Sequence, residues 1–403
     1  MDVLEKTKKI LVQPVCDHCL GRQFAQLLSG YGNSERGLLL RTLAAMSIDN
    51  EKESVDMDMS NFSGFKFHNL DAKLSKERKC EICNDFFARI DKWVSKAGEK
   101  SKRYEFSTFL VGTKLSFDLI TKEEELWERV GIDYCEPLKA EINREVGKCI
   151  EKLLHVKFEP KNPDVNFILD IENGKVVIEI NPFFIYGEYQ KLVRGIPQTK
   201  WPSGKYKTSV EQIIAKPFML ATKGEAHKLH GLGREDIDAR CLAWRPFVLE
   251  ILSPEKRKLE IKNLAKKIAK GVKVRNMRLS NIKEVREIKE SKLDKSYRAI
   301  VLCDKKISKK ELKKLVSLKF IRQNTPQRVL HRRADKLRKR NVRWVKTRSI
   351  TSKKFEFIVK GEAGLYIKEL VSGDNGRTRP SVSELLGCNC VAKELDVIKI
   401  YKK

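Results

Sequence analysis

Two short cysteine knuckles, Cys16-Asp17-His18-Cys19 and Cys80-Glu81-Ile82-Cys83, constrain the amino-terminal part of this chain more than any other feature. They offer four thiolates, the ligand set of a closed tetrahedral zinc site. If one ion takes all four, segments sixty residues apart must fold against each other. Such a site stabilises a fold and leaves no open position for catalysis. Two unrelated knuckles, or His18 in place of one sulfur, are the other readings. A redox role lacks the surrounding periodicity of a thioredoxin-like unit. Ten cysteines in 403 residues are too sparse for a disulfide framework.

That length exceeds one compact core and implies two or three domains. Apolar residues make up 41%, enough for real cores, yet charged residues reach 34% and the net charge is +29. Heat-adapted proteins enrich both signs of charge, whereas here only the positive sign is in excess, which favours a polyanionic partner, nucleic acid before membrane. No apolar run approaches the roughly 20 residues that span a bilayer, and Met1 to Ile10 lack a signal-peptide core. A cytoplasmic protein is expected.

Between the knuckles, Glu51 to Met59 reads as an exposed acidic insertion. Leu126 to Val156 reads as helical, with Ile142, Val146, Ile150 and Leu153 at intervals of three and four. Pro163 to Ile180 changes to a period of two: Val165, Phe167 and Leu169 alternate, Asn173-Gly174 suits a type I′ turn, and Val176, Ile178 and Ile180 follow. An aromatic and basic segment, Phe184 to Gln198, comes next. Its tyrosines and phenylalanines suit either a strand core or RNA stacking, and Lys191 and Arg194 are its candidate phosphate contacts. Gly195 to Pro202 reads as a linker.

In the second half, Ile261, Leu264, Ala265 and Ile268 give a helical face stopped at Gly271. Ser296 to Cys303 is a strand, and Ser308-Lys309-Lys310-Glu311 is a capping box opening another helix. Helices interleaved with strands, yet without tight βαβ spacing, predict an α+β domain with a mixed sheet and helices on one side. From Arg322 to Arg348, eleven cations face only Asp335. Such density predicts a mobile hairpin or loop closing on RNA, with Arg328, Arg332 and Arg333 as candidate contacts, or else a solvated helix. Cys388 and Cys390 alternate like strand residues and suggest no chemistry.

The stretch His230-Gly231-Leu232-Gly233-Arg234-Glu235-Asp236-Ile237-Asp238 places carboxylates directly after two permissive glycines. From spacing alone it is a loop in which Asp236 or Asp238 caps backbone N–H groups, or a turn presenting a catalytic carboxylate. Other chemistries find no support. Ser203-Gly204-Lys205 is not a Walker loop, no glycine-rich methyltransferase loop follows a strand, and the zinc-deaminase signature is missing.

Gly233-Arg234-Glu235-Asp236 resembles the Gly-Arg-x-Asp active-site turn of pseudouridine synthases. With Arg245 to Glu250, it resembles the archaeal and eukaryotic tRNA pseudouridine synthases that act at T-loop positions 54 and 55. The resemblance implies an α+β catalytic domain at 191–403, built on a mixed, mostly antiparallel sheet, and an accessory tRNA-binding domain at 1–190, with a THUMP-like region and a four-cysteine zinc site. It implies Asp236 as the catalytic carboxylate, with Asp238 its local competitor. Lys295-Ser296-Tyr297 is similar to the motif whose tyrosine stacks on the target base. Gly364-Leu365-Tyr366-Ile367-Lys368 is similar to the segment whose arginine pairs with the aspartate; here the cation is Lys368, which keeps the charge and loses the bidentate fork. Leu386, rather than Leu385, is expected against the base, and Arg234 as wedge or phosphate contact. The implied partner is tRNA, bound by a monomer without redox or nucleotide cofactor. A silent tRNA-binding or chaperone protein on the same fold is the alternative.

Overall fold

The computed structural model describes residues 2–52, 56–70 and 76–401, apart from the side chain of Arg332. The expected acidic insertion at 51–59 lies partly outside them. The chain divides into two compact units, Met1–Asn181 and Pro182–Lys403.

The first unit builds one continuous core. Its sheet contains β1 (Thr108–Lys114), β2 (Lys157–Phe158), β3 (Val165–Asp170) and β4 (Lys175–Ile180), in the order β2-β1-β3-β4. Alternation drives Phe109 and Val111 of β1, and Val165, Phe167 and Leu169 of β3, to the same apolar interior. Ile142, Val146 and Ile150 pack there from the helix Leu138–Leu154, and residues around both cysteine knuckles join the same cluster. The long helix expected over 126–156 is two. Phe117–Val130 ends at Gly131, whose φ is +83°, and Pro137 starts the next. Leu153 faces outward. The β3–β4 hairpin forms, but not through a two-residue turn. Asp170 pairs with Lys175 across a four-residue loop, in which Gly174 has positive φ and Asp170 accepts from Asn173 N and Nδ2.

In the second unit the strands are β5 (Phe183–Lys191), β6 (Ala226–Gly231), β7 (Arg240–Leu252), β8 (Val272–Ser280), β9 (Lys295–Cys303), β10 (Phe320–Gln323), β11 (Arg338–Thr351), β12 (Lys354–Gly361), β13 (Thr378–Arg379) and β14 (Cys390–Ile400). They form one sheet in the order β13-β10-β11-β12-β9-β14-β7-β5-β8, with β6 also on β7. Every pairing is antiparallel except β14 with β7. This is the expected mostly antiparallel α+β fold, and its parallel junction is near the middle.

Three expectations need correction. The division falls after Asn181, because β5 pairs with β7 and β8 and so belongs to the sheet of the second unit. Gly195 to Pro202 is therefore no interdomain linker, and Gln198 within it is buried. The helix alternative for Arg322 to Arg348 fails: the segment is a hairpin, in which the end of β10 pairs antiparallel with β11 and the connection holds a short 3-10 segment, Gln327–Arg332. Among the described residues no helix is long and apolar enough to cross a membrane.

Candidate active site

The turn between β6 and β7 is tied down before it presents any chemistry. Gly233 has φ +74°, a conformation that favours glycine, and a Cβ there would press on Lys295 Nζ at 3.2 Å and Arg245 Nη1 at 3.3 Å. Glu235 points inward. It accepts from Tyr189 Oη at 3.0 and 2.9 Å and lies 3.1 Å from Arg245 Nε, while Arg245 Nη1 donates to Leu232 O at 2.6 Å. Gln198 Nε2 donates to Tyr189 Oη and Gly233 O. Arg245 Nε faces Glu235 as an ion pair without making a hydrogen bond, so this buried pair fixes register more than it adds stability.

Lys191, expected on RNA, is wholly buried. Its ammonium donates to the carbonyls of Ile196 at 2.7 Å, Asp236 at 3.1 Å and Ile237 at 3.0 Å, clamping the turn from below. Burial pulls its pKa down, against the opposing charge of Glu235. Arg194 is likewise committed within the fold. It donates to Asp238 O, Leu395 O and Asp396 Oδ1.

Asp396 joins β7, β9 and β14 under the turn by accepting from Arg194, Arg240 and Arg298. Burial alone would raise its pKa, but the hydrogen bonds from Arg240 and Arg298 and the charges of Arg194 and Arg240 bring it down to about 2. A folded value below the unfolded one, about 3.9, stabilises the protein above that pH and is lost as pH falls through 2. We expect Asp396→Asn to cost about 2 to 4 kcal/mol at neutral pH, the larger figure reflecting three arginines left without an anion. In denaturation midpoints the gap from the native protein should narrow below about pH 4. A gap unchanged between pH 7 and 3 would refute this linkage.

Above this foundation opens a cavity of about 420 Å³ lined by the turn, β9, β14 and the segments around Arg328 and Lys368. Asp236 Oδ1 accepts from Arg328 Nη1 at 3.1 Å, and its Oδ2 is 3.7 Å from Lys368 Nζ. Lys368 lies closer to Asp238, at 2.7 and 2.6 Å, and these contacts hold the Asp238 carboxyl low against the effect of burial. Arg328, expected on RNA, is anchored by Glu369 through Nε at 2.6 Å. The nearest cation to Asp236 is thus Arg328, with Lys368 shared between two carboxylates.

Tyr297, on β9, lines the cavity; burial pushes its phenol up to about 12. Lys295 lines it too, brought down to about 8 by burial and by neighbouring Arg245. Arg234 and Arg333 are exposed on the lining, and Arg333 Nη1 donates to Tyr366 Oη at 2.6 Å. The Arg332 side chain lies outside the described residues. Leu386 does not face the cavity. It ends the helix Val382–Leu386 and is 3% exposed within the core beside β9 and β14. The apolar lining comes instead from Val329, Leu365, Ile367, Leu395 and Val397. Sequence reasoning missed Arg328 as the partner of Asp236, Glu369 as its anchor, and Trp201 on the lining.

In the first unit, Cys16, Cys19, Cys80 and Cys83 bring their sulfurs within 4.8 Å of one another, and this cluster could hold a metal ion. His18 is turned away, stacked on Phe87 with Nδ1 at 2.8 Å from Glu141. Buried Arg22 beside Cys19 leaves Nε and Nη2 without hydrogen-bond partners. Glu123 pairs with its Nη1, and an anionic thiolate cluster would face the rest of the guanidinium, so the residues fit a metal of the zinc class.

Residues 184–401 match the family model described as "Pus10, C-terminal", and residues 93–170 match "Pus10 THUMP domain, archaeal". This chain belongs to the Pus10 family. The tRNA pseudouridine synthase Pus10 of Thermofilum pendens is 39% identical, covering 98% of this chain and 95% of that protein. The Methanocaldococcus jannaschii protein of the same name is 40% identical over 96% of this chain and 92% of its own length. A chain from a crystal structure of a Cbf5-Nop10-Gar1 complex aligns over 52% of this chain and 47% of its own, with 18% identity and a TM-score of 0.32, too distant to bear on the site. The C-terminal match starts inside β5, at residue 184 rather than at the expected 191, and so takes in nearly the whole strand.

Proposed function

We propose that this chain is a tRNA pseudouridine synthase acting on uridine in the T-loop, at position 54, 55 or both, with Asp236 as its catalytic carboxylate. The observation that carries the reading is the Asp236 carboxylate, held between Arg328 and Lys368 at one wall of a cavity that also contains Tyr297. The named relatives of this family supply the reaction. In it the N1–C1′ bond of uridine breaks, the base turns, C5 bonds to C1′, and the C5 proton is exchanged for one on N1. Nothing is oxidised and no group enters.

Asp236 acts as nucleophile at C1′ or as base toward the C2′ proton, and either role needs the anion. Two cations stand within 4 Å of it to hold and aim the carboxylate. Tyr297, a neutral phenol at physiological pH, packs against the flipped base, with Leu365, Leu395 and Val397 excluding water. Arg234 and Arg333 receive the phosphates flanking that nucleotide. Lys191 and Arg194 hold the turn and do not touch RNA. Zinc in the four-cysteine cluster would be structural, closing the fold around Cys16, Cys19, Cys80 and Cys83.

The test is incubation with unmodified tRNA transcript, followed by mapping pseudouridine through an adduct that stops reverse transcriptase. Stops in the T-loop support the reading; tight tRNA binding without any stop favours a silent binding protein. Because β10 and β11 are structural, RNA contact by the basic segment is better tested at exposed side chains than by deletion. Lys336, Lys339 and Lys346 are exposed. Their combined change to glutamine should weaken tRNA binding and flatten its dependence on salt, each lost phosphate contact lowering the log–log slope by roughly 0.7 to 0.9. An unchanged slope would remove these lysines from the interface.

A further inference from the structure

The far end of the strands that carry the cavity holds a cluster of sulfur that the reaction does not use. Cys303 ends β9 and Cys390 begins β14, and the two are direct cross-strand partners. Their sulfurs are 3.3 Å apart, and Cys388 Sγ lies 3.6 Å from that of Cys390. All three fall within 4.8 Å of one another. A strand pattern would have left Cys388 as one more alternating residue, yet it lies outside β14. Gly387, with φ +59°, ends the preceding helix and turns the chain. Ser383 then fixes the approach, since its carbonyl accepts from Cys388 N at 3.2 Å and its hydroxyl from Cys390 N at 2.9 Å.

We propose that Cys303, Cys388 and Cys390 form a second metal site, taking one thiolate-preferring divalent ion of the zinc class through three sulfurs and a fourth, solvent-side position. Sulfurs bound at about 2.3 Å to one ion stand roughly 3.8 to 4.0 Å apart, against about 2.05 Å in a disulfide. Separations of 3.3 and 3.6 Å, with the third pair under 4.8 Å, match the first case far better than the second. The 3.6 Å between Cys16 and Cys83 in the four-cysteine cluster is of the same order.

Three thiolates and a divalent cation carry one net negative charge, and the charges nearby are mixed: Lys353 Nζ donates to Asp304 O at 2.9 Å and Lys305 Nζ comes within 3.9 Å of where a Cβ on Gly387 would stand, while Asp304 Oδ2 accepts from Asn389 N at 3.3 Å and Lys305 lies 3.7 Å from Glu311. Cys303 and Cys390 are buried while Cys388 is half-buried beside exposed Gly387 and Asn389, which provides an entry path and the open fourth position. Thiolate donors select zinc and similar soft or borderline ions over magnesium or calcium. The ion would clasp the central strands about six residues, or roughly 20 Å, from Tyr297.

The test is metal content of the purified full chain together with binding of Co²⁺, whose thiolate charge-transfer absorption reports sulfur ligation. Two bound ions per chain are expected, falling to one in Cys388→Ser and in Cys390→Ser, with the cobalt absorption reduced to that of the remaining site. Cys149→Ser, a half-buried cysteine outside both clusters, should leave both readings unchanged. Cobalt spectra identical in the native protein and Cys388→Ser would overturn the proposal. So would a mass two daltons low from a Cys303–Cys390 disulfide in the protein as purified. Because Cys388 is half-buried at a turn, its serine variant tests ligation even if Cys390→Ser fails to fold. Neither overturning result depends on the tRNA reaction or on the four-cysteine site, whose own ion is the one that remains in the count.

Discussion

Asp236→Asn should abolish pseudouridine formation, by roughly 10⁴-fold or more, the scale of removing a nucleophile that acts with its neighbours as a unit. Asparagine keeps the shape of the side chain and loses its charge. Buried Lys191 holds the backbone of this turn through Asp236 O and Ile237 O, so the substitution should leave the turn in place. Affinity for tRNA should stay within a few-fold, because the cations that meet phosphate are elsewhere. Measured under single-turnover conditions, retained conversion would remove Asp236 from the chemistry. Loss of binding together with loss of turnover would point to a collapsed site.

The companion variant Asp238→Asn separates the two carboxylates. Asp238 now takes the shorter contacts with Lys368. Removing its charge leaves Lys368 with Asp236 as its nearest anion, 3.7 Å away. Activity should therefore persist within about tenfold, since an exposed ion pair contributes 1 kcal/mol or less. If instead Asp238→Asn is as damaging as Asp236→Asn, the carboxylates work as a pair and the assignment to one of them fails.

What the sequence made legible was local. The four knuckle cysteines, the turn at Asp236, Tyr297 on its strand and the capping box at Ser308 all lie in short patterns whose physics needs no distant partner. What it hid was long-range. Lys191 sits in a run of aromatic and charged residues that suits a surface, yet β5 is paired on both edges and much of it is buried on both faces. Its lysine is tolerated because carbonyls at Ile196, Asp236 and Ile237 converge on it, the last two some forty-five residues away in sequence. Arg328 was one cation among eleven, and nothing nearby showed that Glu369 and Asp236 would claim it. Leu386 was placed by distance along the chain from Lys368, but a short helix intervenes and packs that side chain into the core. Periodicity finds faces and motifs find turns, while the destination of a single charged side chain depends on topology.

The largest expected effect on stability lies in the first unit. Cys19→Ser should remove one bound ion and unfold residues 2–181 as a body. Cys19 is fully buried, and serine is a poor ligand for an ion otherwise held by sulfur. The knuckle residues share one apolar cluster with the helix Leu138–Leu154 and with β1 and β3, so their loss is not confined to the knuckle. Structural zinc contributes about 10 to 16 kcal/mol in small peptides at neutral pH, comparable with or above the 5 to 15 kcal/mol that holds a typical domain folded. Arg22 adds to the loss: Glu123 still pairs with its Nη1, but Nε and Nη2 lack hydrogen-bond partners, and without an anionic cluster the buried guanidinium loses part of the negative charge around it. Metal content and limited proteolysis of the full chain give the answer together. Cleavage spread through the first 181 residues, with one ion fewer than in the native protein, is the expected result. Native protease resistance with the ion gone would mean that the four thiols close the core without metal, and native metal content would mean that three sulfurs suffice.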